Sequence, residues 1–334
     1  MFLAMDAMGG DRAPQEPCRG AIMACEADPN LNVILVGDAR RIEEHLRDAA
    51  SSVRARIGVV HADQVVTMDD APSVSIRKKR NSSLRVAMEM VRSGEASAVV
   101  SAGNTGAIVA GGILVLGRIP GIDRPGLGVP IATLSSRVSL LIDVGATVRC
   151  KPINLAQFAL MGSIYMRSLV GVSEPSVALL SNGEEEIKGD ETVIQAREIL
   201  KASSLNFVGY VEGKDVPLGT SDVVVCDGYT GNVLLKFGEG LGEGVMNLMR
   251  EEISRSFLPK VGLLFMMPML KKLHYRFDYE RHGGTPLLGV RGTVIKAHGR
   301  SKARAISNAL MVARDFVAKR GVQTIEDELA KGGI

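Results

Sequence analysis

Short apolar, β-branched runs alternate with stretches of helical period along most of the 334 residues. FLAMD precedes an Ala-rich helical stretch after Pro14, NVILVGD precedes RRIEEHLRDAA, then come IGVVH, and SAVVSAG before NTGAIVAGGILVL. The same rhythm returns with VSLLIDVGA before a helix from about Pro152 to Leu169. SVALLSNGEEE then leads into ETVIQAREILKAS, and DVVVCDG into a long helix from Gly231 to about Phe257. Parallel strands need a crossover between them, and a helix is the usual one. The chain is therefore expected to form an α/β fold with a largely parallel sheet covered on both faces. No self-similarity at a repeat period appears, which disfavours a solenoid.

No Pro-, Gly- or Ser-rich linker cuts the chain, so residues 1–334 are expected to form one continuous α/β unit. The stretch from about 116 to 142, with its Gly and Pro and shorter strands, is the place for a smaller second lobe. Hydrophobic residues are 46% and charged residues 23%, an ordinary globular balance that needs no metal or disulfide staple. A net charge of +3 is too small for a nucleic-acid binder, so an anionic partner must be met locally. Cys18, Cys25, Cys150 and Cys226 lack CxxC spacing and sit in apolar runs, which reads as buried free thiols in a reducing compartment. The opening MFLAMDAMGG has no basic leader and carries Asp6 in its apolar stretch, and no run approaches the roughly 20 apolar residues of a spanning helix. A cytoplasmic protein, at most peripheral on a membrane, is expected.

Ligands of open parallel sheets bind beyond the carboxyl ends of strands, where helix N-termini offer free N–H groups. Four loops here follow strands in that way: Asp6–Asp11 (DAMGGD), Ser101–Ala107 (SAGNTGA), Asp143–Thr147 (DVGAT) and Cys226–Asn232 (CDGYTGN). Gly103 and Gly106 permit close backbone approach, and Asn104 or Thr105 could either cap a helix or hold an oxyanion. Neither G-x-G-x-x-G nor the P-loop pattern occurs, so a nucleotide site is unsupported. Asn232 and Lys236 lie four residues apart on one helix face, as an amide–ammonium pair or as a cap with a solvated lysine. Lys296 and His298 stand where a strand gives way to a helix near Ser301. Histidine can move a proton near neutral pH, or can be structural. Arg77–Arg80 places four cations at a helix entry, either a solvated face or a seat for phosphate or an acidic protein.

Taken in order, MDAMGGD, NVILVGD, TMDD-AP, RKKRNSSLRVA, SAGNTGA, LGRIPGIDRPG, DVGA, CKP with QFALMG, NGEEEIKG, DGYTGNVLLK, GG-PLLGV and IKAHG span nearly the whole chain and resemble the PlsX family of phosphate acyltransferases. The resemblance implies a three-layer αβα sandwich related to isocitrate and isopropylmalate dehydrogenases and to phosphotransacetylase, in a homodimer. It implies transfer of a fatty acyl group from acyl carrier protein to inorganic phosphate, with no cofactor or metal. Phosphate would then sit at Gly103, Asn104, Thr105 and Gly106 with Lys79 or Arg80. Asn232 and Lys236 would hold the oxyanion, and His298 or Lys296 would ease departure of the thiolate. Asp6, Asp143 and Asp227 would orient the loops. The chain departs from the pattern at Thr147, where Asn is expected, and at Arg149, where an acidic residue is expected.

Val261–Leu270 (VGLLFMMPML) is apolar with lysines on both sides, and too short to cross a bilayer. Leu264, Phe265, Met266 and Met267 fit an interfacial element or packing in a core or dimer. Because acyl phosphate would be consumed by a membrane glycerol-3-phosphate acyltransferase, the resemblance favours a helical segment at about 245–275 that meets the membrane or the second subunit. Transfer from acyl-CoA, and a non-catalytic membrane-recruited scaffold, are the alternatives.

Overall fold

The computed structural model describes residues 1–135, 137–255, 263, 265–269 and 283–331. The strands are β1 (Phe2–Asp6), β2 (Asn32–Gly37), β3 (Ile57–His61), β4 (Ala98–Ser101), β5 (Gly126–Ala132) and β6 (Val138–Ile142). They continue as β7 (Val177–Leu180), β8 (Phe207–Val211), β9 (Val223–Val225), β10 (Thr285–Leu288) and β11 (Thr293–Lys296). All lie in one sheet in the order β3-β2-β1-β4-β11-β10-β5-β6-β9-β7-β8. The alternating rhythm is thus realised as an α/β fold with a mostly parallel sheet. Residues 126–142 contribute two strands to that sheet.

The sheet has a seam that the rhythm does not disclose. β10 is antiparallel to both β11 and β5, and β5 is antiparallel to β6. On one side of the seam β3, β2, β1, β4 and β11 are mutually parallel; on the other, β6, β9, β7 and β8 are. Three antiparallel steps between β11 and β6 leave the two parallel sets running in opposite directions, so their carboxyl ends point opposite ways.

Helices cover both faces. On one lie α1 (Gln15–Ala27), α2 (Ala39–Leu46), α7 (Pro152–Tyr165), α8 (Glu191–Ala202) and the C-terminal helices Ala303–Ala318 and Gly321–Ala330. α7 is buried from Asn154 to Tyr165, as its all-round apolar sequence requires. α1 approaches Ala303–Ala318 closely because Gly20 has no side chain: a Cβ there would stand 2.5 Å from Cβ of Ile306. The buried Glu16 carboxylate accepts the Ala303 N–H at 2.6 Å, capping the later helix from the earlier one. The opposite face carries α4 (Pro72–Lys78), α5 (Ser83–Ser93), α6 (Thr105–Gly111) and the long α9 (Gly228–Arg255). α9 is the outlier, with only Gly228 and Gly231 buried along its length.

Candidate active site

The ends of β1, β4 and β11 meet at one edge of the sheet, and the loops that leave them are tied together by buried polar contacts. Asp6 is 2% exposed and its Oδ2 accepts the Ser101 hydroxyl at 2.6 Å, while Oδ1 accepts the Met8 N–H at 3.2 Å. The same Ser101 hydroxyl accepts the Gly103 N–H at 3.0 Å. Burial raises the Asp6 pKa above the usual carboxylate value, with hydrogen bonds from Ser101 and Ser83 opposing it. The Ala297 N–H donates to the Ser101 carbonyl at 2.8 Å, and the Asp11 N–H to the Gly299 carbonyl at 2.9 Å. Gly9 is required at this junction, since a Cβ would stand 2.6 Å from Asp6 Oδ2 and 2.8 Å from the Gly103 nitrogen.

α6 opens directly beyond this knot. Its cap is the Asn104 side chain, which accepts the Ala107 N–H at 3.0 Å and donates to the carbonyls of Thr67 and Met68 at 3.2 and 2.9 Å. That amide is fully engaged in holding the 67–70 loop against α6. Lys79 is engaged too, its ammonium lying 2.5 Å from Asp70 and 2.8 Å from the Val65 carbonyl. Arg80 is exposed, and neither it nor Thr105 has a side-chain partner among the described residues. The N–H groups of Thr105 and Gly106, in the first turn of α6, have no acceptor among the described residues. They are the donors that a helix N-terminus leaves for an anion.

Lys296, His298 and Lys236 come together although 60 residues separate Lys236 from Lys296. Lys296, on the last position of β11, has its pKa lowered by burial first and then by the Lys236 ammonium, with Glu239 opposing. His298 is likewise held below the usual imidazole value by burial, then by Lys296 and Lys236, again with Glu239 opposing. The carboxylate that tempers this positive cluster is Glu239, whose Oε2 lies 2.7 Å from the Lys236 ammonium. His298 Nδ1 accepts the Arg300 N–H at 3.2 Å. Asn232 is exposed on α9, one turn before Lys236, and makes no side-chain hydrogen bond among the described residues.

Asp143 and Asp227 belong to the other set of strand ends. The four strand-following loops divide between two ends of the sheet, because the antiparallel seam reverses β6 and β9 relative to β1, β4 and β11. Asp143 accepts N–H groups from Leu127, Gly145 and Ala146 at 2.9–3.0 Å and from Thr147 at 2.6 Å. Burial pushes its pKa up to about 6 against those four donors. Asp227 caps α9, accepting from the Tyr229 and Thr230 amides and from the Thr230 hydroxyl at 2.6 Å. Gly231 lies so close to the Asp143 carbonyl that a Cβ would overlap it. Both carboxylates therefore fix where α9 starts, and α9 carries Asn232 and Lys236 across to the Lys296 edge. The Thr147 hydroxyl donates to the Pro125 carbonyl at 3.2 Å, a local tie that a threonine can make in place of the expected asparagine.

Sequence reasoning named Lys296, His298, Lys236 and the α6 loop individually but not Glu239, which carries no motif of its own. The role of TMDD-AP as a strap over α6 was also unread, although its motif was in view. Cys18, Cys25 and Cys226 are buried and Cys150 half-buried, all four as free thiols. Among the described residues no group of three or more His, Cys, Asp or Glu side chains is placed to hold a metal ion, and no helix is long and apolar enough to cross a membrane. Leu264 lies outside the described residues, while Phe265, Met266 and Met267 are helical and 80%, 46% and 37% exposed.

The sequence profile of the family described as "Fatty acid synthesis protein" matches residues 1–324. A phosphate acyltransferase of Heliobacterium modesticaldum is 46% identical over 329 residues, covering 98% of each chain. One of Myxococcus xanthus is 48% identical over 326 residues, covering 97% of this chain and 92% of its own. Among solved structures, a phosphotransacetylase from Streptococcus pyogenes superposes with a TM-score of 0.65 at 16% identity, over 97% of this chain and 94% of its own. A branched-chain phosphotransacylase from Enterococcus faecalis superposes with 0.57 at 13% identity, over 94% and 99%. These structures share the fold. The sequence matches carry the function: the chain belongs to the fatty acid synthesis protein family of phosphate acyltransferases, enzymes that transfer an acyl group to phosphate.

Proposed function

We propose that the acyl donor is a fatty acyl thioester of acyl carrier protein, the acceptor inorganic phosphate, and the product an acyl phosphate for phospholipid biosynthesis. The observation that carries this reading is the charge coupling of Lys296, His298 and Lys236 at the end of β11, the strand next to β4, which leads into the α6 N-terminus with its unengaged Thr105 and Gly106 N–H groups. Phosphate near neutral pH is already a nucleophile and needs placing, not deprotonating. The α6 N-terminus, with Gly103 and Gly106 admitting close approach and Arg80 adding charge, would seat it. Asn104 and Lys79 act through the loop they hold. A phosphate oxygen then attacks the thioester carbonyl carbon and the C–O bond forms. Asn232 and Lys236 hold the oxyanion until the C–S bond breaks.

The departing thiolate needs a proton, and an ordinary thiol has a pKa of about 8.5. Lys296, depressed from 10.5 by burial and by Lys236, is an ammonium brought towards that value and so a better donor than a solvated lysine. His298 has its pKa lowered by burial, and with Nδ1 accepting the Arg300 N–H its neutral form carries the proton on Nε2, from which it can donate a hydrogen bond to the developing thiolate.

The reading extends to assembly. Tyr229, Val233, Phe237, Leu241, Val245 and Leu248 recur at helical spacing on α9 and are 48–68% exposed, a stripe of the size that monomers rarely leave bare. It supports a homodimer. The exposed Phe265, Met266, Met267 and Met269 support contact with the cytoplasmic membrane surface, where a membrane glycerol-3-phosphate acyltransferase would consume the product. The test is phosphate-dependent loss of acyl-carrier-protein thioester with an acyl hydroxamate trapped by hydroxylamine, run beside the matching CoA thioester. Equal turnover of the CoA thioester would replace the carrier protein as donor. No hydroxamate from either donor would leave the scaffold reading.

A further inference from the structure

The face of the sheet that carries Lys296 also carries an apolar strip that none of the described helices closes. Successive strand residues alternate between faces. On β11, Val294 packs into the core beneath α4, α5, α6 and α9, while Ile295 packs on the α1 side, so Lys296 shares the face of Val294. On β10, Leu287 belongs to that same core and Leu288 to the opposite one, which puts Thr285 beside Lys296, its register partner. Carrying the Leu287–Leu127 register two residues on brings Thr285 level with Val129. Lys296, Thr285 and Val129 thus form a row across three strands on one face, about 10 Å long.

From Val129 the strip continues along β5 to Ile131, which shares its face. β5 is paired with β6 over Gly128–Ala132 but with β10 only at Gly126 and Leu127, and Val129 and Ile131 are half-buried, whereas β1 beyond Phe2, β4 and β9 are buried throughout. Leu234 and Leu235, the half-buried apolar residues of α9 just before Lys236, pack on the same core as Val129 and Ile131. Beyond Ile131 the β5–β6 hairpin ends in exposed Leu134, whose N–H donates to the Pro217 carbonyl at 2.8 Å beside exposed Leu218. An apolar track therefore runs from Val129, two strands from Lys296, outward along β5 for about 10 Å to Ala132 and on towards the hairpin tip.

We propose that this track, from Val129 and Ile131 towards the hairpin tip, seats the hydrocarbon chain of the acyl donor and places its carbonyl beside Lys296. The inference rests on acyl transfer as the activity. Continuity with the cation cluster selects the occupant: the chemistry needs an apolar chain attached to an electrophile that must lie among Lys296, Lys236 and the α6 N-terminus. Val129 and Ile131 then set how long a chain is accepted, because bulk at those positions shortens the track.

Two measurements test it. The chain contains five Tyr but no Trp, so Ile131→Trp introduces a single Trp, selectively excited at the red edge of its absorption, into the track. Dibrominated stearic acid should quench it saturably, and competition by palmitate should restore the signal; absence of quenching in the folded variant overturns the proposal. In parallel, Val129→Phe/Ile131→Phe is compared with the parent on hexadecanoyl and butanoyl thioesters with phosphate. The kcat/KM for hexadecanoyl should fall tenfold or more while that for butanoyl stays within about threefold, as expected when a pocket loses methylene sites. Ile131→Ala serves as the milder variant if the double substitution fails to fold, with a smaller loss for hexadecanoyl alone. An equal loss for both donors, or for neither, overturns the seat, as does conversion of a dimer to monomers by Ile131→Ala, which would make the strip a subunit contact. Quenching without any phosphate-dependent turnover in the parent would uphold the seat and sink the acyl-transfer reading instead.

Discussion

The Ser101 hydroxyl donates a 2.6 Å hydrogen bond to the buried Asp6 carboxylate and so locks the end of β4 to the end of β1. The bond spans 95 residues of sequence and lies directly beneath the loop whose amides face the anion seat. Ser101→Ala removes a donor to a buried carboxylate, a change worth about 1.5–3 kcal/mol. Its loss is expected to lower the urea midpoint, raise the Asp6 pKa further, and raise KM for phosphate more than it lowers kcat. An unchanged midpoint would show that the knot adds nothing.

Gly231→Ala drives a Cβ into the Asp143 carbonyl and towards Cys226 Sγ at 2.8 Å. The start of α9 must move, at a cost of about 1–3 kcal/mol for overpacking. Turnover should drop by more than the loss of stability explains, because Asn232 follows directly and Lys236 one turn later. Differential scanning calorimetry and steady-state kinetics on one preparation compare the two effects.

The cation cluster makes the pKa of His298 a readout of its neighbours. Lys236→Met removes one of the charges that hold His298 down, so its pKa should rise towards 6.5, as followed by NMR titration of the imidazole protons. Stability follows the same sign. The folded pKa lies below the unfolded 6.5, so this contribution is full above about pH 6.5 and is lost as the pH falls towards the folded value. His298→Gln should flatten that part of the urea-stability profile, and a profile identical to the parent would place His298 outside the cluster.

Removing an oxyanion donor typically costs about 100- to 1,000-fold in turnover. Asn232→Ala and Lys236→Ala are each expected to lose that much acyl-phosphate formation with little change in thermal midpoint, since both side chains are exposed on α9. Activity within a few-fold of the parent in both variants would remove the assignment.

The α9 stripe and the methionine-rich helix beyond it are separable. Phe237→Glu with Leu241→Glu should halve the sedimenting mass if the stripe joins two subunits, while Phe265→Glu should weaken co-sedimentation with anionic liposomes and leave the mass unchanged. The reverse pattern would exchange the two roles.

Local patterning made much of this legible. The β-branched runs at Asn32–Gly37 and Val223–Val225 and the helix at Glu191–Ala202 lie where alternation and capping residues put them, since those signals are set by neighbours in sequence. Asp190 illustrates it, capping its helix by accepting the Val193 N–H at 2.8 Å. Asn104 was legible only as a choice between cap and anion ligand. The carbonyls of Thr67 and Met68 decide it, and they arrive from a loop more than 30 residues away.

By itself the sequence determined the α/β class, the mostly parallel sheet, the residues at strand ends and, through its ordered motifs, the family. Tertiary structure alone decided which of those strand ends share a site. Strand direction depends on pairing across the sheet, and the antiparallel seam at β10 and β5 is made by segments more than 140 residues apart in the chain. That pairing turns Asp143 and Asp227 away from Ser101 and Asp6 and leaves α9 to carry Lys236 back to Lys296. The lowered pKa values of Lys296 and His298 follow from burial and charge repulsion created by that placement, quantities that exist only once the chain has folded.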